Sequence, residues 1–206
     1  MINNKQLLQR ERMMGPTNDF LTNHFLIAMP GITDTYFNRS VVYICEHSDR
    51  GAVGIVVNQP LQSLRANLSE ILKIFIEGMT DINELYDDYP VLCGGPVHPE
   101  RGFVLHRPGT KWQSSFNLSN EVCITASNDI LQAIARQEGP EKFIFSLGYA
   151  SWVPGQIEKE IIENTWLTVP ATPSILFDVP LHERWQTAMQ SLGVDIHKLA
   201  YRGGCA

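Results

Sequence analysis

A single mixed α+β domain is what this 206-residue sequence predicts, on three observations. Strand-like and helix-like segments alternate irregularly, with hairpins early and helices late, unlike the regular βαβ repeat of a doubly wound sheet. The hydrophobic fraction of 44% and charged fraction of 18% are those of a folded globule. The length suffices for one large core without a metal or disulfide staple, and no repeat or low-complexity segment breaks the pattern.

Residues 1–17 are polar and run into "GPTND", so they are expected to form a flexible N-terminal extension, with 18–206 as the single domain. "HFLIAMPG" and "RSVVYICEH" are rich in branched and aromatic residues and close on turn signals, which predicts two strands. In the second, Val41, Tyr43, Cys45 and His47 are expected on one face, and Val42, Ile44 and Glu46 on the other. "DRGAVGIVVNQP" supplies a glycine turn and a further strand, hence a hairpin.

The period then changes. Leu68, Ile71, Leu72, Phe75 and Ile76 fall on one helical face, with Asn67 and Glu70 spaced as a capping box and Gly78 near the end. The acidic residues Asp81, Glu84, Asp87 and Asp88 follow as a solvated loop. "YPVLC" and "GFVLHRP" are read as paired strands around a loop, and "EVCITAS" as another strand. "SNDILQAIARQEGP" is read as a helix capped by Asn128 or Asp129 and stopped by Gly139 and Pro140. A core strand "EKFIFSLGYASW" precedes a helix opened by Pro154, with Ile157, Ile161 and Ile162 as its apolar stripe. "WLTVPA" returns as a strand. "LHERWQTAMQSLG" closes the chain as a helix with Trp185, Ala188, Met189 and Leu192 inward.

Composition excludes several functions. A net charge of −6 argues against a nucleic-acid surface, so direct DNA binding is not expected. Cys45, Cys93, Cys123 and Cys205 contain no C-x-x-C pair, and no spaced His/carboxylate set suggests a metal. We therefore expect neither metal nor cofactor. The opening residues carry charges where a secretory leader needs an apolar core, and "FLIAMPGI" is too short to span a bilayer. The expected setting is a soluble, reducing cytoplasm, with no membrane association.

Four features could carry chemistry. "VLCGGPVHPERGFVLHRP" matches no phosphate-loop pattern, and Pro96 removes an amide donor; Gly94 and Gly95 suit positive φ or a close backbone approach. Gly94, Gly95, Pro96 and Gly102 are thus assigned to a backbone turn that delivers Arg101 and His106. Arg101 could bind an anion through its donor fork, whereas His106 shares a strand face with Val104, the usual setting of a hydrogen-bonded core histidine. Cys45-Glu46-His47 has the residue types of a cysteine hydrolase. In a regular strand, however, Glu46 points away and Cys45 and His47 stand about 7 Å apart, beyond dyad reach. Glu46, beside Val42 and Ile44, would call for a cation such as Arg39 or Arg101. Ser151 lacks the flanking glycines of a nucleophile elbow. No catalytic residue is assigned.

Taken together, "NHFLIAMPGITDTYFNRSVVYICEH", "GAVGIVVN", "GGPV", "RGFVLH", "LGYASW", "GQIEKEIIENTWL" and "ILFD" resemble the YqgE/AlgH family of small bacterial proteins, collinearly from about Leu21 to Val194. The resemblance implies a bifurcated, strongly curved sheet forming a pseudo-barrel flanked by helices. It implies no established activity; the family label of transcriptional regulator comes without a recognised DNA-binding motif. Its pattern picks out Arg39, Ser40, Cys45, Glu46, His47, Asn58, Gly94, Gly95, Pro96, Arg101, Gly102, His106, Gly148, Trp152, Gly155, Gln156 and Glu158, but not Cys93 or His98.

Two readings follow. One is a non-enzymatic regulatory or interaction protein, with another protein as its partner. The alternative is a small-molecule-binding or hydrolytic enzyme with ligand contacts at Arg39, Glu46, Arg101, His106, Trp152 and Gln156. The sequence does not determine the oligomeric state.

Overall fold

The computed structural model describes residues 21–32, 36–61, 67–76 and 86–193. Nine strands of the described residues form one sheet: β1 (His24–Ala28), β2 (Val41–Ser48), β3 (Gly51–Val56), β4 (Val91–Cys93), β5 (Val97–His106), β6 (Ser115–Asn117), β7 (Cys123–Thr125), β8 (Phe143–Trp152) and β9 (Trp166–Pro170). Among the described residues five helices accompany them: α1 (Leu68–Phe75), α2 (Asn128–Ala135), α3 (Gln156–Ile162), α4 (Pro173–Phe177) and α5 (Leu181–Ser191).

The strand order is β6-β7-β5-β8-β3-β2-β1-β9, with β4 beside β8. Every pairing is antiparallel except β4 with β8. The sheet forks at β8: residues 145–147 lie between β4 and β5, while Ala150–Trp152 pair with β3. It curls strongly into a half-barrel, so the mixed α/β architecture and bifurcated sheet are as anticipated.

Alternation along the strands explains why both faces need cover. Phe25, Ile27, Val41 and Tyr43 pack on one face against Ile175 and Leu176 of α4 and Trp185, Ala188 and Met189 of α5. Leu26, Ala28, Val42 and Ile44 face the other way, onto Ile157 of α3 and Trp152 and Trp166. Leu68, Ile71 and Leu72 of α1 and Ile130, Leu131 and Ile134 of α2 cover Val104, Phe145 and Leu147. Each such large side chain contributes roughly 1.5–3 kcal/mol of burial.

The Asn67 side chain accepts the Glu70 amide at 3.0 Å, as its capping position predicts. Other expectations are corrected. The N-cap of α2 is Ser127, ahead of both expected caps, Asn128 and Asp129; Asp129 instead accepts the amides of Ile130 and Gln113. That helix ends at Ala135, and Gln137 takes the left-handed conformation (φ 62°) before Gly139 is reached. Ile162 is 80% exposed, because Ile157 and Ile161 stand one turn apart and the next residue rotates off their face. β4 and β5 do not pair; they flank β8 on opposite sides. β6 and α4 were not anticipated, being only three and five residues long. Residues 1–17, Gly78, Asp81, Glu84 and Cys205 lie outside the described residues.

Candidate functional site

The strand that carries Cys45-Glu46-His47 is not regular. Ile44 pairs with Gly54 and Glu46 with Val53, so Cys45 is an extra residue opposed by none: a β-bulge. The bulge reverses the alternation, which corrects the predicted faces. His47, opposite Ala52, joins the face of Ile44, and Glu46 leaves it. Glu46 is exposed and needs no buried cation; among the described residues it forms no ion pair with Arg39 or Arg101. His47 is 1% exposed, and its Nε2 lies 3.0 Å from Glu158 Oε1 on α3. Burial, and next the Glu46 carboxylate, push the Cys45 thiol up to about 12. A nucleophile needs the thiolate, and this setting disfavours it.

The glycine pair performs a crossing. Leaving β4, the chain passes over the backbone of β8 at Gly148 and joins the far side as β5, where Val97 pairs with Tyr149. A Cβ on Gly94 would stand 2.3 Å from Gly148 O; one on Gly95 (φ 150°) would stand 2.2 Å from Tyr149 C; one on Gly148 (φ 72°) would stand 2.5 Å from Gly95 O. Only glycine permits this approach. Gly102 is not part of the turn but lies within β5, paired with Leu147, where a Cβ would stand 3.0 Å from the Phe145 ring.

Beyond the crossing, Arg101 and His106 diverge. Arg101 lines a small depression of about 180 Å³ with Phe75, Ser127 and Asn128. His106 is 1% exposed; its Nδ1–H donates to Arg107 O at 2.7 Å, and Nε2 lies 2.8 Å from Thr125 Oγ1, itself 2.9 Å from Ser115 Oγ. Burial lowers the His106 pKa below the ordinary imidazole value, so it is neutral and Nε2 accepts from the Thr125 hydroxyl. The core-histidine reading matches this geometry.

Trp152 and Gln156 are brought together, through a residue the sequence did not single out. Glu160 Oε2 accepts the indole N–H groups of Trp152 at 2.9 Å and Trp166 at 2.7 Å, and its Oε1 accepts Gln156 Nε2 at 2.8 Å. Gln156 Oε1 in turn accepts the Val153 amide at 3.0 Å. This clasp ties α3 to β8 and β9. Two tryptophans flanking one helical glutamate were its only sequence signal.

Arg39 stands apart from these groups. Held at φ 50°, it places its guanidinium 5.5 Å from the Trp185 ring centroid. The turn is fixed by Asn58, whose Oδ1 accepts the Val41 amide at 2.7 Å and whose Nδ2 donates to Arg39 O at 2.8 Å. Gln59 Nε2 donates to Asn38 O at 2.8 Å. Trp185 is fixed by its indole N–H donating to Ala28 O at 2.9 Å. Between β2, β3 and α5 lies an open depression of about 500 Å³, lined by Asn38, Arg39, Asn58, Gln59, Pro60, Leu181, His182, Trp185 and Gln186. Behind it Arg184 is 7% exposed and donates to the carbonyls of Val57 and Val179. Burial pulls its guanidinium down to about 10, which leaves it charged at neutral pH.

Arg39, Arg101 and His106 thus line three depressions that share no residue. Among the described residues no group of three or more His, Cys, Asp or Glu could hold a metal ion, and no helix is long and apolar enough to cross a membrane.

These features define a small α/β half-barrel protein in which His47, His106 and Cys45 are separately placed and whose rim carries a polar, arginine-bearing depression. The chain belongs to the AlgH-like family, whose model matches residues 25–197. It is 46% identical over 187 residues to a UPF0301 protein of Proteus mirabilis, covering 90% of this chain and 99% of that one. It is 47% identical over 186 residues to a UPF0301 protein of Nitrosospira multiformis, covering 90% and 97%. The solution structure of the AlgH protein from Pseudomonas aeruginosa superposes with a TM-score of 0.74 at 42% identity, over 94% of this chain and 100% of that chain. A Corynebacterium diphtheriae protein, at 19% identity and a TM-score of 0.65, shares the fold over 90% of this chain and 94% of its own.

Proposed function

We propose that this chain is a non-enzymatic interaction protein with a regulatory role exerted through a protein partner. The observation that carries the reading is the separate engagement of Cys45, His47 and His106. Covalent catalysis by Cys45 needs a base within hydrogen-bond reach of the thiol. Here the bulge sends Cys45 and His47 to different faces, His47 bonds Glu158, and His106 sits neutral in the core. A net charge of −6 supports a protein rather than DNA as the partner. A reducing cytoplasm is part of the same proposal, supported by Cys45, Cys93 and Cys123 all being unpaired.

The test uses the full chain in two assays. Alkylation by iodoacetamide at neutral pH should leave Cys45 unmodified while the chain is folded and modify it in urea. Ester, peptide and phosphomonoester substrates should turn over no faster than in buffer. A hydrolysis rate abolished by Cys45→Ala, His47→Ala or His106→Ala would overturn the reading.

A further inference from the structure

We infer that the depression bounded by Arg39 and Trp185 docks an acidic peptide segment, with Arg39 gripping a side-chain carboxylate; this inference rests on the interaction reading above. Among the described residues Arg39 has no carboxylate partner, although the chain as a whole is acidic. Among the described residues no Asp or Glu lines the depression, and the other ionisable wall group is His182, which lies 3.4 Å from Glu183. Arg184, the neighbour of the lining residue Trp185 on α5, is buried, donates to the carbonyls of Val57 and Val179, and forms no ion pair with a described carboxylate. Arg39 thus presents a positive charge without a described ion-pair partner, while the carboxylate beside the wall, Glu183, lies against His182; such a charge on an acidic molecule attracts an anion.

The geometry selects the kind of anion. The Arg39 guanidinium lies over a hydrogen-bonded indole, 5.5 Å from its ring centroid, and its planar donor fork matches a carboxylate in bidentate fashion. Around it stand the side-chain amides of Asn38, Gln59 and Gln186. Gln59 spends its Nε2 on Asn38 O and keeps Oε1 as an acceptor. Side-chain amides both donate and accept, as a peptide backbone requires. The volume of about 500 Å³ lies within the range of small-ligand sites, so the depression takes a few residues of chain and not a folded surface.

The experiment follows the Trp185 indole N–H by ¹H–¹⁵N NMR of the full chain, assigned with Trp185→Phe, during titration with acetyl-Glu-Glu-Glu-amide. The expected result is a saturable shift at millimolar peptide or below. Acetyl-Gln-Gln-Gln-amide should produce none, and Arg39→Ala should weaken binding by about tenfold or more. Gln186→Glu, an exposed substitution that leaves Arg39 in place, should weaken it comparably by adding a like charge. The parent's dispersed spectrum in each variant serves as the folding control. No shift with the triglutamate peptide, an equal shift with the triglutamine peptide, or parent-like binding by folded Arg39→Ala would overturn the inference. So would saturable binding of inorganic phosphate without peptide binding. Peptide that binds and is then cleaved would sink the non-enzymatic reading and leave the docking site standing; absence of binding would do the reverse.

Discussion

The carbonyl oxygen of Gly148 lies 2.3 Å from where a side-chain carbon on Gly94 would stand. Two backbones cross there at a distance that no Cβ tolerates, and the crossing transfers the chain from one side of β8 to the other. Gly94→Ala must therefore push the β4–β5 connection off the backbone of β8 at the fork of the sheet. We expect a loss of at least ~3 kcal/mol in urea unfolding. Gly155→Ala is the control: its φ is positive, at 75°, unlike that of Gly94, but a Cβ there meets nothing within 4 Å, so only the backbone term of about 1 kcal/mol applies. Equal losses in the two variants would show that the crossing is not what constrains Gly94.

Glu160 organises a second tertiary junction. Trp152 and Trp166 are 6% and 3% exposed, so their indole N–H groups have no ready access to water if the carboxylate is removed. Glu160→Ala should cost about 2–4 kcal/mol, the price of two orphaned donors, and should alter tryptophan fluorescence before global unfolding. Glu160→Gln keeps one acceptor oxygen for the indoles but turns a donor toward Gln156, so its loss should be roughly half as large. Urea midpoints for the two variants, with unchanged slopes, check the ranking.

Local period made most of the elements legible, because alternation in β1 and the 3.6-residue spacing in α1 are properties of neighbouring residues. What escaped depended on partners far along the chain. The bulge at Cys45 exists only against β3, and reading β2 as regular put Glu46 and His47 on each other's faces. The glycines at 94 and 95 announced a close approach, but its object, Gly148, lies over 50 residues later, and so does the strand that separates β4 from β5. The site was legible to the same extent. Arg39 stood out as a candidate, while Trp185, which orients it, and Arg184 beneath it belong to a helix whose inward face looked merely apolar.

His106 links stability to pH. Burial lowers its pKa in the folded chain below the ordinary value of 6.5, so the unfolded chain binds the proton more readily. Stability is then greatest above about pH 6.5 and falls as the pH drops through that value, levelling off only once the lower folded-state pKa has been passed. His106→Gln removes this group. The variant should be less stable than the parent at about pH 8, through lost bonds to Arg107 O and Thr125, and the gap should narrow toward about pH 5. Urea midpoints at three pH values measure the difference. A gap that widens on acidification would reverse the sign assigned to the burial of this imidazole.

Asn58 ties the fold to the proposed docking site. One side chain accepts from the Val41 amide and donates to Arg39 O, so it fixes both the start of β2 and the left-handed turn that presents the guanidinium. Asn58→Asp preserves the first bond but sets a carboxylate oxygen against the Arg39 carbonyl. The cost should be about 2 kcal/mol, and the added negative charge at the rim should weaken triglutamate binding. Asn58→Ala loses both bonds without adding charge. It should lose a similar amount of stability yet retain more of the binding, because Arg39 still has the Trp185 ring to lie against. Urea unfolding and the Trp185 N–H titration, run on both variants, separate the two effects: stability follows the lost bonds, and affinity follows the charge. If the two variants bind the peptide equally well, charge at this rim does not govern recognition, and the turn at Arg39 serves only the fold.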